Sequence, residues 1–146
     1  MSWAIRKLTG SAVSHCFIVH EALGVECAVE AAGDGVVLLP LEVVRERGDI
    51  VSLVDMGDSL EVGMGDLAGM IGHPYDYLGL LGFLWVLGGR KLGKDWYNPF
   101  RSDTRLFCSE SVVRILQKCK VPGASLLDPE SCSPADVLAF LTRTTS

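Results

Sequence analysis

The sequence predicts an α+β domain, in which helices pack on an antiparallel sheet of about five strands. Three observations carry this prediction. Short apolar segments separated by turns fill the first part of the chain, and segments with helical spacing follow them. The third observation is composition: 146 residues that are 49% hydrophobic and 21% charged suit a single folded domain over residues 1–146.

The expected strands are apolar segments of four to seven residues. They are residues 3–8, 14–19, 25–31, 36–39 and 50–54. Gly24 and the Gly33-Asp34-Gly35 sequence mark turns, so the three middle segments are expected to form an antiparallel meander. The first segment alternates imperfectly and fits a short helix as well as an edge strand.

The expected helices follow the strands, after one charged helical turn at residues 42–47. They begin at Asp58, Tyr75, Cys108 and Ser133. Asp58 and Ser133 are the expected N-caps, and Pro134 suits the first helical position. Residues 75–87 are apolar all round, which predicts a buried helix. Residues 88–105 form an irregular, locally basic loop that either binds an anionic group or is simply solvated.

Composition excludes several classes of protein. A formal charge of −5 argues against nucleic-acid binding by bulk electrostatics. We see no secretory signal and expect a cytoplasmic protein, and no apolar run reaches the roughly 20 residues of a membrane span. The five cysteines form neither a disulfide framework nor a zinc motif. We therefore expect no metal and no cofactor, whereas the oligomeric state is left open.

Cys108 is the candidate nucleophile. It opens a helix with one apolar face, and the free N–H groups and partial positive charge of a helix N-terminus lower the pKa of a thiol. The same N–H groups suit a developing oxyanion. The alternative is that Cys108 is a small buried hydrophobic residue, which is common for cysteine.

His15 and Glu30 are the candidate partners of this thiol. His15 lies in an expected strand, whereas His20 and His73 have sequence surroundings typical of solvated residues. Glu30 lies in the next strand among apolar residues, so its carboxylate needs a partner. That partner is either His15 or an arginine such as Arg6 or Arg45. Cys16 is excluded as the nucleophile, because neighbouring strand residues point to opposite faces.

The order of several motifs resembles the YiiX-like family. These motifs are Ser14-His15 before an apolar segment, Val29-Glu30-Ala31, residues 36–41, Pro74-Tyr75-Asp76-Tyr77, Cys108-Ser109-Glu110, and Ser133-Pro134-Ala135-Asp136. This family belongs to the circularly permuted papain-like cysteine hydrolases, with the NlpC-type peptidases and lecithin retinol acyltransferase. The resemblance therefore implies a circularly permuted papain-like fold for this chain.

The resemblance also implies roles for individual residues. Cys108 would be the nucleophile, His15 the general base and acid, Glu30 the orienting carboxylate, and Tyr75 or Tyr77 an oxyanion donor. Packing with a satisfied hydroxyl is the other interpretation of the tyrosines. Phe107 departs from the pattern, since NlpC-type enzymes usually carry an aspartate there.

The implied chemistry is acyl transfer through a thioester. The substrate would be a peptide, a peptidoglycan amide or a lipid acyl group. The apolar segment at residues 77–87 favours the lipid, and its other interpretation is ordinary core packing. The second hypothesis is a non-catalytic binding or structural module on the same scaffold, because fold does not imply function.

Overall fold

The computed structural model describes residues 2–22, 24–57, 60, 63–100 and 106–144. Within these ranges the chain forms a three-stranded antiparallel sheet and six α-helices. This is an α+β arrangement, as the sequence predicts. The expected Asp58 cap lies outside the described residues, as do Arg101 and Arg105 of the basic loop.

The sheet is a meander in the order β1-β2-β3. Its strands are β1 (Ile18–Ala22), β2 (Val25–Ala32) and β3 (Gly35–Pro40). Ile18 pairs with Val29, and Glu30 pairs with Val37, so β2 is the central strand. The glycines Gly24 and Gly35 have φ of 78° and 111°, which a residue with a Cβ rarely adopts, and the chain turns at both.

The expectation of about five strands is wrong, because two of the expected segments form no strand. Residues 3–8 lie in helix α1 (Ser2–Thr9), which buries Ile5 and leaves Trp3 exposed. Residues 50–54 are irregular, and Val51 and Leu53 are more than half exposed. Alternating apolar residues make a strand only where a neighbouring strand or core covers them.

Five further helices are described. They are α2 (Leu41–Arg47), α3 (Met64–Met70), α4 (Tyr77–Lys91), α5 (Cys108–Lys118) and α6 (Pro134–Thr144). Of these, α2 and α5 pack on the sheet. The predicted cap of α6 is confirmed, since the Ser133 hydroxyl accepts a hydrogen bond from the Asp136 N–H at 3.1 Å. None of the helices in the described residues is long and apolar enough to cross a membrane.

Helix α5 forms the centre of the main core. Val113 and Ile115 on α5 are fully buried and share a cluster with Val29, Ala31 and Val36 of the sheet. Every residue of α5 from Cys108 to Val113 is buried. The helix that begins with Cys108 is therefore held by the core and not by surface contacts.

Helix α4 is not the buried helix that its composition predicts. One face packs on Ile5 through Leu80, Phe83 and Leu87. The opposite face leaves Leu78, Leu81 and Trp85 about half exposed, at 50%, 51% and 55%. A helix that is apolar all round needs cover on every side to be buried, and only one side of α4 receives it in the described structure.

Candidate active site

The nucleophile candidate lies at the start of α5. Phe107 is extended (φ −112°, ψ 169°), and Cys108 is the first residue with helical geometry. The Phe107 ring stacks on Phe83 of α4 with 5.4 Å between centroids, which fixes the chain just before the thiol. The first N–H groups of a helix lack partners inside it, so they surround Cys108 with partial positive charge.

His15 reaches this thiol from an irregular segment rather than from a strand. β1 begins only at Ile18, so the expectation that His15 stands within a strand is wrong. Its Nε2 lies 2.8 Å from Glu30 Oε2, and the ring also interacts with Cys108, which helps to raise the pKa of the imidazole. Because Nε2 faces the carboxylate, Nδ1 is the ring nitrogen left to face the sulfur. His15 thus bridges the thiol and the carboxylate.

Glu30 is held by the central strand and is only 4% exposed. Its second oxygen, Oε1, accepts a hydrogen bond from Arg47 Nη1 at 2.9 Å. Arg47 is the last residue of α2. It is the arginine that pairs with Glu30, whereas the sequence suggested Arg6 or Arg45 for this role. Glu30 therefore has both kinds of partner at once, a histidine and an arginine, which compensates the cost of burying its charge.

The electrostatics of these groups favour an ion pair between His15 and Cys108. Partial burial opposes protonation of His15, but its hydrogen bonds to Cys108 and Glu30 outweigh that effect and raise its pKa to about 10. The pKa of Glu30 is lowered by its hydrogen bond to His15, despite burial. The pKa of Cys108 is held well below its usual range, first by a hydrogen bond from Cys16 and then by His15, although burial opposes this.

Cys16 takes part in the site, which the sequence reasoning missed. Its thiol interacts with Cys108, and the two cysteines shift each other's pKa in opposite directions. The prediction that His15 and Cys16 face opposite ways assumed a strand, and alternation does not apply to the irregular residues before Ile18. The pKa of Cys16 is raised by the hydrogen bond to Cys108 and by burial, so Cys16 is the protonated donor of the pair.

The two candidate tyrosines have different surroundings. The Tyr77 hydroxyl donates to the Gly33 carbonyl at 2.9 Å, so its hydrogen is used in holding a turn. Tyr75 lies beside the site, where burial first, and then the nearby Cys108 charge, raise the pKa of its hydroxyl. A raised pKa keeps a phenol protonated and able to donate, so Tyr75 remains the candidate oxyanion donor.

The remaining histidines and cysteines lie apart from this arrangement. His20 is exposed, whereas His73 is only partly exposed, which the sequence did not predict. Cys27 is buried in β2, and Cys119 follows α5 with its sulfur 3.6 Å from the Leu60 carbonyl oxygen. Cys132 lies just before α6 and is only 6% exposed.

Two cavities lie away from Cys108, which lines neither of them. These adjoining cavities, of about 300 and 420 Å³, share Asp95, Trp96 and Tyr97, in the loop that follows α4. Trp96 stacks on Trp85 with 4.1 Å between ring centroids. In the described parts of the chain, no group of three or more His, Cys, Asp or Glu residues is placed to hold a metal ion.

Comparison with known proteins found no relative: no protein-family model and no curated protein sequence matches the chain.

Proposed function

We propose that the protein is a cysteine hydrolase or acyltransferase that cleaves an amide or ester through a thioester on Cys108. The supporting observation is the position of His15, which is hydrogen-bonded to Glu30 at 2.8 Å and interacts electrostatically with the Cys108 thiol. A nucleophile, a base and an orienting carboxylate in series is the arrangement that activates a cysteine for acyl transfer. The motif resemblance to YiiX-like cysteine hydrolases supports the same chemistry.

Each group has a defined task in this reaction. The Cys108 thiolate attacks the substrate carbonyl, and the imidazolium of His15 then protonates the leaving amine or alcohol. Water, deprotonated by the neutral imidazole, attacks the thioester and releases the acid; an alcohol or amine in its place gives acyl transfer. Glu30 keeps the His15 ring in one orientation and stabilises its protonated form.

The developing oxyanion needs donors near Cys108. The free N–H groups of the first turn of α5 supply them, and the Tyr75 hydroxyl is the second donor that we propose. Tyr75 is also fixed by the backbone, since a bridge pairs it with Leu106 just before α5. Both the tyrosine and the thiol are thus positioned by the same short contact.

The substrate is an acyl compound of one of two kinds. A peptide amide, as in peptidoglycan, follows from the resemblance, although Phe107 replaces the aspartate usual in NlpC-type enzymes. A lipid acyl group is favoured by the exposed side of α4, where Leu78 and Leu81 lie within about one turn after Tyr77. The Tyr77 ring contacts that of Tyr75. An acyl chain lying along these residues would have its carbonyl end towards the site.

The first test is covalent labelling with activated acyl esters. Wild-type protein should form a mass-shifted acyl-enzyme on the peptide that contains Cys108, and Cys108→Ala should abolish it while the protein stays folded. Cys119→Ala is the matched control, because this cysteine ends the same helix away from His15. Labelling lost in Cys16→Ala but kept in Cys108→Ala would contradict the choice of nucleophile.

A panel of short-chain esters, long-chain esters and peptide amides then separates the substrate classes. Faster acylation by long chains, reduced by Leu81→Ser on the exposed side of α4, supports the lipid substrate. Preference for peptide amides, unaffected by this change, supports the peptide. A folded wild-type protein that no member of the panel acylates contradicts the enzyme proposal and favours a non-catalytic binding module.

A further inference from the structure

The loop that follows α4 encloses two adjoining cavities that the hydrolase proposal does not use. The smaller has a volume of about 300 Å³ and the larger about 420 Å³, and Asp95, Trp96 and Tyr97 line both of them. Cavities of this size hold small organic ligands. Cys108 and His15 line neither cavity, so a ligand held here is not in contact with the nucleophile or its base.

Helix α4 holds the loop in place through two of its glycines. A Cβ at Gly82 would meet the Asn98 amide, and a Cβ at Gly89 would lie 2.7 Å from the Trp96 ring, so both side chains need the space that glycine leaves. Asn98 is buried, and its Nδ2 donates to the Gly79 carbonyl at 2.9 Å. The walls of the cavities are therefore set by packing within the protein itself.

Aromatic side chains form most of the wall of the larger cavity. Trp85, Trp96 and Tyr97 line it together with Pro99 and Asp95. Trp96 stacks on Trp85 with 4.1 Å between ring centroids and 17° between ring planes. Trp85 is 55% exposed and Tyr97 is 80% exposed, so a ligand reaches this wall from solvent. Aromatic ring faces attract cations through their quadrupole, and tryptophan does so most strongly.

Carboxylates line the smaller cavity. They are Asp95, Asp128 and Glu130. Among the described residues, no lysine, arginine or histidine forms an ion pair with Asp95 or Asp128. Asp128 Oδ1 accepts the Glu130 N–H at 3.2 Å, a bond that orients the carboxylate without neutralising its charge. Because Asp95 lines both cavities, it places a negative charge beside the aromatic wall.

Two basic residues at the end of α4 are engaged elsewhere. Arg90 lines the smaller cavity, but its Nη1 forms an ion pair of 3.1 Å with Asp136, which lines neither cavity. Lys91 donates to the Lys7 carbonyl at 2.9 Å. The sequence left anion binding open for this basic loop, whereas the lining of its cavities is acidic and aromatic and therefore suits a cation.

We propose that these two cavities form a binding site for a small alkylated ammonium ion, held by the rings of Trp85, Trp96 and Tyr97 and by the charge of Asp95. An alkylated ammonium group donates few hydrogen bonds or none, so ring faces and a nearby carboxylate bind it without a fixed donor–acceptor pair. The proposal adds a non-catalytic site to the chemistry proposed for Cys108 and does not rest on it.

The test is titration of the ¹⁵N-labelled full chain with choline, followed through the NMR signals of the indole N–H groups. The chain has three tryptophans, and Trp3, which is 66% exposed on α1, is the internal control. The signals of Trp85 and Trp96 should shift saturably, with half-saturation below about 10 mM choline, while that of Trp3 stays in place. The uncharged isostere 3,3-dimethylbutan-1-ol should bind at least about tenfold more weakly, because it lacks the cation.

Variants divide the affinity between charge and ring. Asp95→Asn keeps the side-chain size and should weaken choline binding about fivefold, and Trp96→Leu should weaken it about fivefold or more. Tyr97→Ala, at an exposed position, should weaken it about threefold and guards against misfolding of the tryptophan variant. Trp3→Phe and Glu42→Gln are the matched controls for ring and charge, and both should bind as wild type does.

Several outcomes overturn the proposal. They are equal affinity for choline and its uncharged isostere, a Trp3 shift as large as those of Trp85 and Trp96, half-saturation above about 10 mM, or wild-type affinity in both Asp95→Asn and Tyr97→Ala. Cys108→Ala should bind choline as wild type does. Loss of binding in that variant would overturn the assignment of a site separate from the thiol.

Discussion

Replacing His15 by alanine should remove most of the reactivity of Cys108 at low pH and none of it at high pH. An ordinary thiol with a pKa of about 8.5 is only about 1% thiolate at pH 6.5. The pKa of Cys108 is lowered. If the thiol is mainly ionised at pH 6.5, the fraction present as reactive thiolate is about 100-fold larger than for an ordinary thiol. A less basic thiolate is a weaker nucleophile, which lowers its intrinsic reactivity by about tenfold. The alkylation rate at pH 6.5 is therefore about tenfold higher than for an ordinary thiol.

The assay is the rate of alkylation by iodoacetamide between about pH 5 and pH 9, read by the mass of the Cys108 peptide. His15→Ala should lower the rate at pH 6.5 by up to about tenfold, a ceiling because the Cys16 donor remains. Near pH 9 the order should reverse, with His15→Ala up to about tenfold faster, because both thiols are then mainly ionised and the more basic thiolate is the better nucleophile. Cys119, whose pKa burial raises, serves as the internal control. An unchanged profile would remove His15 from the site, and an equal loss at every pH would indicate misfolding.

Three further predictions follow from named contacts. Glu30→Gln should keep the fold and lower turnover by about 10²-fold. Arg47→Ala should cost less than about 1 kcal/mol of stability, because the arginine side chain is 56% exposed. Acylation rates and melting temperatures, measured on both variants, distinguish the two effects. The pKa of His15 is raised to about 10, so its protonation stabilises the folded protein fully below about pH 6.5. This stability is lost as the pH rises through about 10. The melting temperatures of wild type and His15→Ala should therefore converge near pH 10. Gly82→Ala sets a Cβ against the buried Asn98 amide and should destabilise by about 1–3 kcal/mol in urea unfolding, while Gly69→Ala, in open space on α3, should stabilise by about 0.5 kcal/mol.

Local signals in the sequence predict the helices of the site well. The start of α5 at Cys108 and the capping of α6 by Ser133 both depend on residues within one turn, so the sequence carries them directly. The proximity of His15 and Glu30 was also predictable, because a hairpin joins their segments. These features need no knowledge of distant parts of the chain.

Features that depend on long-range packing were not predictable from the sequence. Nothing near Arg47 indicates that the end of α2 returns to the central strand, and nothing distinguishes it from Arg45. The Cys16 contact was missed because a pattern of apolar residues predicted a strand three or four residues too early. The two absent strands have the same cause, since a strand needs a neighbour that local sequence does not specify.

The distance along the chain between His15 and Cys108 has a consequence for biosynthesis. His15, Cys16 and Glu30 leave the ribosome early, whereas Cys108 is made in the last third of the chain. Synthesis proceeds at about 5–20 residues per second, so for several seconds the nascent protein has His15 and Glu30 but not Cys108. Even a completed but unfolded chain has an ordinary thiol at Cys108, because the groups that lower its pKa are brought to it only by folding. The lowered pKa of this thiol thus arises together with the native state.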